Sequence, residues 1–514
     1  MIIELKKINA FSFAEAFAVG VFEDTPKSEL PSLPKLSKQD GHYLNGFTAS
    51  VNGETGETKI AYLPSGAKII FLGLGKKADW SVRSYALFAR KTVQMLKSNR
   101  FEAGALMLNN DILPANENLL HLIKLTAENA LLAEFDFNQY KESPPKGWPI
   151  IKSLALYVPS ITKLASAALR EATTIATAVN ETRKLVNTPG GDMTPSKLAG
   201  AAVRAGKENG FTVEALDENE IQALGMGGVM GVSKGSSERP RFIIMKYNHK
   251  RPGRKSSHYK KTIKPLVFIG KGVTFDTGGL NIKGDEHMYE MHMDMSGGAA
   301  VIFAISAIAA LKLPVSIVGL VPAVENMPSG QSYRPGDILK TITGKTIEVL
   351  NTDAEGRVIL ADALGYAVKF LDPALMVDVA TLTGAAMVAL GQRFAGLFTN
   401  RPGLETELRR IGEESGDYVW PLPASNDYDE EIKGTFGDVA NLGKTRYGGA
   451  TTGAVFLKQF ADNKPWVHLD IAPVMTTIDS DLLAKGAKGF GVRYLVELAK
   501  ESAKLISQLD KKHP

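Results

Sequence analysis

Two stretches of the chain gather ionisable residues inside glycine-rich frames. The first is Gly270-Lys271-Gly272-Val273-Thr274-Phe275-Asp276-Thr277-Gly278-Gly279-Leu280-Asn281-Ile282-Lys283, continued by His292-Met293-Asp294-Met295-Ser296-Gly297-Gly298. The second is Asn351-Thr352-Asp353-Ala354-Glu355-Gly356-Arg357. In open α/β sheets, ligands bind beyond the carboxyl ends of the strands. Lys271 directly follows one strand-like run, 266–270, and Asp353 follows another, 346–350. Asp353, Glu355 and Arg357 alternate, so an extended backbone would aim all three the same way. Gly356 would then let the chain turn into the next helix. Two carboxylates so spaced suit chelation of a hard or borderline cation. Singly, Asp276 or Asp294 reads as an ordinary surface carboxylate at a turn. Their crowding with Lys271, Asp353 and Glu355 points to a metal centre.

The elements that must hold such a centre follow from pattern. A chain of 514 residues exceeds one comfortable core and implies two domains. The hydrophobic share of 44% and charged share of 22% are those of a folded globular protein. With no cysteine, disulfides and thiolate ligands are excluded, leaving imidazole, carboxylate, amine and carbonyl. The first part reads as a small α/β unit. It has strand patterns at 1–6, 67–75 and 103–108, a helical pattern at 82–96, and a Pro-rich linker candidate at 143–149. A long Ala/Leu-rich helix is predicted over 162–185, stopped by Asn187-Thr188-Pro189-Gly190-Gly191. Beyond it, strands at 266–270, 315–320, 346–350, 375–380 and 466–471 alternate with helices at 299–311, 358–370 and 404–414, the pattern of an α/β sheet. No apolar run approaches the roughly 20 residues that cross a bilayer, and the patch 14–22 is interrupted by Glu15 with no secretory cleavage site after it. The expected location is cytoplasmic, with no membrane partner.

The heptapeptide 351–357, with Lys271, Asp276, Lys283 and Asp294 upstream, resembles the signature of the leucyl (cytosol) aminopeptidase family of metallopeptidases. The resemblance runs from about residue 185 to 498 and includes Glu325-Asn326-Met327-Pro328 and Arg334-Pro335-Gly336; before about 160 it is one of layout. It implies a macro-like N-terminal α/β domain (1–160), a linker helix (161–190) and a larger catalytic domain (191–514) with a mixed sheet flanked by helices. It further implies two divalent ions, Zn or Mn with Co or Mg as alternatives, held by Lys271, Asp276, Asp294, Asp353 and Glu355. Asp276 and Glu355 would bridge both ions, and Asp353 would serve the looser one. Lys283 would polarise the scissile carbonyl, and Arg357 would hold a bicarbonate acting as base toward an activated water. Met291, Thr381, Leu382, Gly384, Ala472 and Met475 would line the pocket for the first side chain, leucine-like by preference. Substrates would be short peptides with a free N-terminus, and the assembly a homohexamer. His292 and Pro473 depart from the family pattern at the pocket edge.

The chemistry is coherent on the residues themselves. Four carboxylates balance two divalent ions, and Lys283 and Arg357 then favour a small anion and a developing oxyanion. A lysine must lose its proton to act as a ligand, far below its usual pKa of about 10.4. The residues alone leave open a Lys271 ammonium paired with Asp276. Other signals are weaker. His287, His292 and His468 lack a metal-binding spacing. Gly225-Met226-Gly227-Gly228-Val229-Met230-Gly231 has the wrong spacing for a dinucleotide loop and reads as a structural turn. The basic stretch 251–264 reads as an exposed loop between strands, with nucleic-acid binding as its functional alternative. A two-metal phosphoesterase is the enzymatic alternative.

Overall fold

Apolar, β-branched runs become strands where the sequence places them, and their residues alternate between two helical layers. In the computed structural model, residues 1–10, 16–26, 36–248 and 264–511 are described. They form two units, Met1–Thr177 with Ile478–Lys485, and Ala178–Thr477 with Gly486–Pro514. The division falls inside the helix Lys163–Val186.

The first unit holds, among the described residues, a six-stranded sheet in the order Ile2–Lys7, Ser153–Val158, Ala103–Met107, Ala16–Phe22, Lys68–Gly75, Thr58–Tyr62. Only the last, edge strand runs antiparallel to its neighbour. Helices Val82–Ser98 and Leu119–Glu134 pack together, burying Phe88, Val93, Leu96, Leu122 and Ile123 in one core with Ile70, Leu106 and Leu156. The Pro-rich segment 143–149 is not a linker. The strand after it, Ser153–Val158, pairs with both Ile2–Lys7 and Ala103–Met107, so that segment is a loop within this unit.

The second unit is built on a nine-stranded mixed sheet, again counted among the described residues. Its centre is parallel: Trp466–Asp470, Leu375–Ala380, Leu266–Gly270 and Ser316–Asn326 lie side by side, and Gly272–Asp276 continues along the last of these. Val267, Ile269 and Leu320 pack into a cluster with the helix Glu355–Leu371. The opposite face meets the helix Ser296–Ala310. There Gly319 leaves room for Ile305 and Val301, whose methyl carbons would lie 2.4 and 3.2 Å from an added Cβ.

That helix carries the most apolar long stretch among the described residues. The stretch Asp285–Ala310 is apolar and long enough to pass as a membrane span by composition, with 89% of its most apolar window buried. Its continuous α-helical part is the 15 residues Ser296–Ala310. At 1.5 Å per residue that is about 22 Å, short of a hydrocarbon core of about 30 Å. It is the core helix of the sheet. The glycine stretch 225–231 departs from its expected form. It forms a short helix, Gly227–Ser233, rather than a turn. A Cβ on Gly227 would stand 2.2 Å from the Lys340 carbonyl oxygen, so its glycines serve packing. Of the basic stretch 251–264, residues up to 263 lie outside the described residues; Lys264 pairs with Asp372 at 2.9 Å.

Candidate active site

The carboxyl ends of the central strands converge on one acidic cluster. Lys271 leaves the end of Leu266–Gly270, its backbone N–H donating to the Val379 carbonyl at 3.0 Å. The fit there is tight enough to demand glycine: a Cβ on Gly297 would lie 2.0 Å from the Val379 oxygen. Asp276 ends Gly272–Asp276, Asp294 follows a single 3-10 turn, Met291–Met293, and Lys283 sits on the loop after residue 276.

The heptapeptide is not extended, which corrects the alternation argument. Glu355 and Arg357 are already in the helix Glu355–Leu371, and Asp353 lies in the turn before it. Glu355 nevertheless meets Asp353, because the first helical residue points its side chain back toward the turn. Oxygens of Asp276, Asp353 and Glu355 all lie within 4.8 Å of one another. Gly356 does more than turn the chain: a Cβ there would sit 2.6 Å from Lys271 Cε.

The lysines divide the carboxylates between them. Lys271 Nζ lies 2.8 Å from Asp294 Oδ2 and 2.7 Å from Glu355 Oε1, and donates to the Thr381 carbonyl at 2.9 Å. The pairing with Asp276 that the residues alone left open gives way to these two partners. Lys283 Nζ lies 2.8 Å from Asp276 Oδ2 and also contacts Asp353 Oδ1. Burial alone would lower both ammonium pKa values, but the surrounding carboxylates outweigh it and hold both above the usual lysine range. Burial pushes Asp294 well above the usual carboxylate range and raises Glu355 and Asp353; Asp276 adds to it for all three.

These residues fit a metal centre. Asp294 Oδ2, Asp353 Oδ1 and Glu355 Oε1 are buried without a hydrogen bond of good geometry, although each faces an ammonium group at ion-pair distance. Oxygens of this type, crowded and under-satisfied, are the donor set of a hard or borderline cation. Arg357 is buried apart from the lysines. Its Nη1 donates to the Asn441 carbonyl at 3.0 Å, its Nε has no hydrogen-bond partner among the described residues, and burial lowers its pKa.

Two of the segments expected to line a pocket are joined by a residue the sequence reading passed over. Asp470, at the end of Trp466–Asp470, accepts from Leu382 N (3.1 Å), Thr383 N (3.4 Å), Thr383 Oγ1 (2.6 Å) and Ala472 N (3.2 Å). It thereby ties the 381–384 segment to the 3-10 turn Ala472–Val474, after which comes Met475. Met291, half-buried, opens the turn that leads to Asp294. Thr381 Oγ1 donates to Asp294 Oδ1 at 2.6 Å. Asn326, at the end of Ser316–Asn326, donates to Asp276 Oδ1 at 2.8 Å. Asp470 and Asn326 are polar residues ending buried apolar strands, the same signal that marked Lys271. His468 is a core residue, its Nδ1 2.5 Å from Asp378 Oδ1 and its ring stacked on Phe398 and Trp466.

The chain is similar to known proteins over nearly its whole length. Residues 180–496 match the model of the cytosol aminopeptidase family, catalytic domain, and residues 18–144 match that family's N-terminal domain. A probable cytosol aminopeptidase of Methylobacillus flagellatus is 37% identical over 496 residues, covering 95% of this chain and 97% of that protein. One from Syntrophotalea carbinolica is 38% identical, covering 95% and 97%. Among solved structures, a mutant of tomato leucine aminopeptidase superposes with a TM-score of 0.85 at 31% identity, over 97% of this chain and 96% of that one. The bottromycin maturation enzyme BotP, in complex with Mn, gives 0.81 at 27% identity, over 95% and 100%. From the two family models together with relatives aligned over nearly the whole length, the chain belongs to the cytosol aminopeptidase family, and its activity is that of an aminopeptidase, a hydrolase of peptides.

Proposed function

We propose that the chain releases N-terminal residues, leucine-like ones first, from short peptides, using two divalent ions held by Lys271, Asp276, Asp294, Asp353 and Glu355. The observation that carries this is the convergence of Asp276, Asp353 and Glu355 within 4.8 Å beside two lysines, and a similar solved structure, that of BotP, is a complex with Mn. Zn or Mn, with Co or Mg as alternatives, would supply Lewis acidity toward the scissile carbonyl and an acidified water.

The side chains have separable tasks. The free α-amine of a peptide, once neutral, would itself serve as a ligand to one ion, which would restrict the site to unblocked N-termini. Lys283, with a partly exposed side chain, is placed to donate from Nζ to the carbonyl oxygen as it gains negative charge. Arg357, with a buried Nε lacking a partner, suits a small anion such as bicarbonate, which would supply a base that no side chain here provides. Asp470 holds the 382–383 backbone against Ala472 and so shapes the pocket for the first side chain. The assembly is proposed to be a homohexamer and the location cytoplasmic, in line with relatives described as cytosol aminopeptidases.

The test compares leucine amide with N-acetyl-leucine amide before and after chelation. Leucine amide should be cleaved, its acetylated form barely, and chelation should abolish activity until metal is returned. Full activity after exhaustive metal removal, or equal turnover of both amides, would refute the proposal.

A further inference from the structure

We infer that Asn441 is the positioning residue of this centre, setting the Asp353/Glu355 ligand turn and the Arg357 guanidinium from one buried point; the inference rests on the metal-centre reading above. The placement begins in the strands. Thr346–Glu348 and Val439–Ala440 pair in parallel, with Ile347 beside Val439 and Glu348 beside Ala440, so the residues that follow each strand emerge side by side. The second strand is pinned in place. Glu348 Oε2 accepts from the backbone N–H groups of Thr435, Phe436 and Gly437 at 2.6, 2.8 and 3.3 Å, and Asn441 N donates to the Glu348 carbonyl at 3.0 Å.

Asn441 is fully buried, and its carboxamide is committed to the turn. Oδ1 accepts from Leu350 N at 2.8 Å and Asn351 N at 3.2 Å; Nδ2 donates to the Asn351 carbonyl at 2.6 Å and, more weakly, to that of Ala354 at 3.4 Å. A carboxamide has two donors and two acceptor sites, so its capacity is used up on the two sides of the turn that presents Asp353 and leads into Glu355. Asn351, held this way, passes the constraint on: its Oδ1 accepts from Asp353 N at 2.7 Å. The Asn441 carbonyl accepts from Arg357 Nη1 at 3.0 Å, fixing the one guanidinium hydrogen bond to the chain described above. Asn441 thus acts through backbone and through Arg357, as residues behind metal ligands do when they orient them.

The experiment is Mn titration of the full-length metal-stripped chain and of Asn441→Ala, followed by kcat and KM on leucine amide across free Mn concentrations. Loss of a partner behind metal ligands typically costs about 10–100-fold in affinity. The variant should therefore bind one of two ions about 10–100-fold more weakly, lose kcat at low Mn, and regain it at high Mn with KM near that of wild type. Wild-type affinity for both ions, equal weakening of both, or a lowered melting temperature as the only change would each overturn the inference. If the wild type takes up no metal, the metal-centre reading falls and this inference falls with it. Hydrogen exchange on metal-stripped wild type gives a test free of any substitution. The Leu350 and Asn351 amides should exchange about tenfold or more slowly relative to exposed loop amides, and exchange at the exposed rate would overturn the assignment.

Discussion

Replacing Lys283 by Met separates binding of the ions from use of them. The change keeps an unbranched stem and removes the charge that lies 2.8 Å from Asp276 Oδ2 and beside Asp353. Two consequences have opposite signs. For ion uptake, four carboxylates facing two lysines carry a formal −2, and loss of Lys283 makes it −3. Unit charges about 4 Å apart interact by about 4 kcal/mol at an effective dielectric of 20, so a cation competing for these carboxylates is removed. Metal should bind at least as tightly as in wild type, while the metal-free variant should melt lower. For turnover, the ammonium is the donor to the oxyanion, and loss of one such donor typically costs about 10²–10³ in kcat, or about 2.7–4 kcal/mol. The assay is metal content after dialysis, with kcat and KM on leucine amide. Loss of both ions together with activity would make Lys283 part of the holding machinery. Activity within about threefold of wild type would remove it from the reaction altogether.

Glu355→Gln and Asp276→Asn should lose metal and activity together, measured by metal content and turnover on the same samples, because each removes a carboxylate from the cluster. Arg357→Ala should keep its metal yet lose about 10²–10⁴ in rate, with a deficit that depends on added bicarbonate; wild-type activity in stripped buffer would end the anion role. Thr381→Val removes a hydrogen bond to the Asp294 carboxylate. A bond to a charged group is worth about 1.5–3 kcal/mol, so the ion near Lys271 and Asp294 should bind about 10–100-fold more weakly by competitive chelation, and unchanged affinity would refute the role.

What the sequence disclosed, and what it hid, follows from how local each signal is. The strands 266–270 and 375–380 are read at their observed limits because each is a mainly apolar run, broken only by the buried Asp378 in the second, and closed by a polar residue or a turn. The helix expected at 358–370 begins three residues earlier, at Glu355. Nothing in the sequence marks that start: Ala354 at the cap makes no side-chain hydrogen bond, and Gly356 is a poor helix former. The helix is extended by tertiary packing, since only glycine at 356 admits the Lys271 side chain. The acidic cluster was legible because its charges crowd within short windows. Asn441 was not, since it lies about 90 positions from Asn351 and no periodicity reports a contact of that range. Asp470 and Asn326 were within reach of the strand-end rule, which was applied to charged residues near glycine and not to every polar strand terminus.

The fold also sorts two chemically identical lysines into different tasks. Lys271 is 3% exposed, its ammonium is held by Asp294, Glu355 and the Thr381 carbonyl, and its stem is enclosed by a helix that opens with a glycine. It cannot move without breaking those three contacts, so whatever it does is done in place. Lys283 is carried by a loop whose backbone N–H donates to the Thr277 carbonyl at 2.9 Å, with a side chain 14% exposed and two carboxylate contacts that an arriving cation would contest. Cations binding to Asp276 and Asp353 would displace its ammonium toward the open side of the cluster, the side a peptide must approach. The same event that fills the site would therefore free the group that acts on the substrate. Activity should then appear only when the Asp276/Asp353 side is occupied, even if the ion beside Lys271 is already bound.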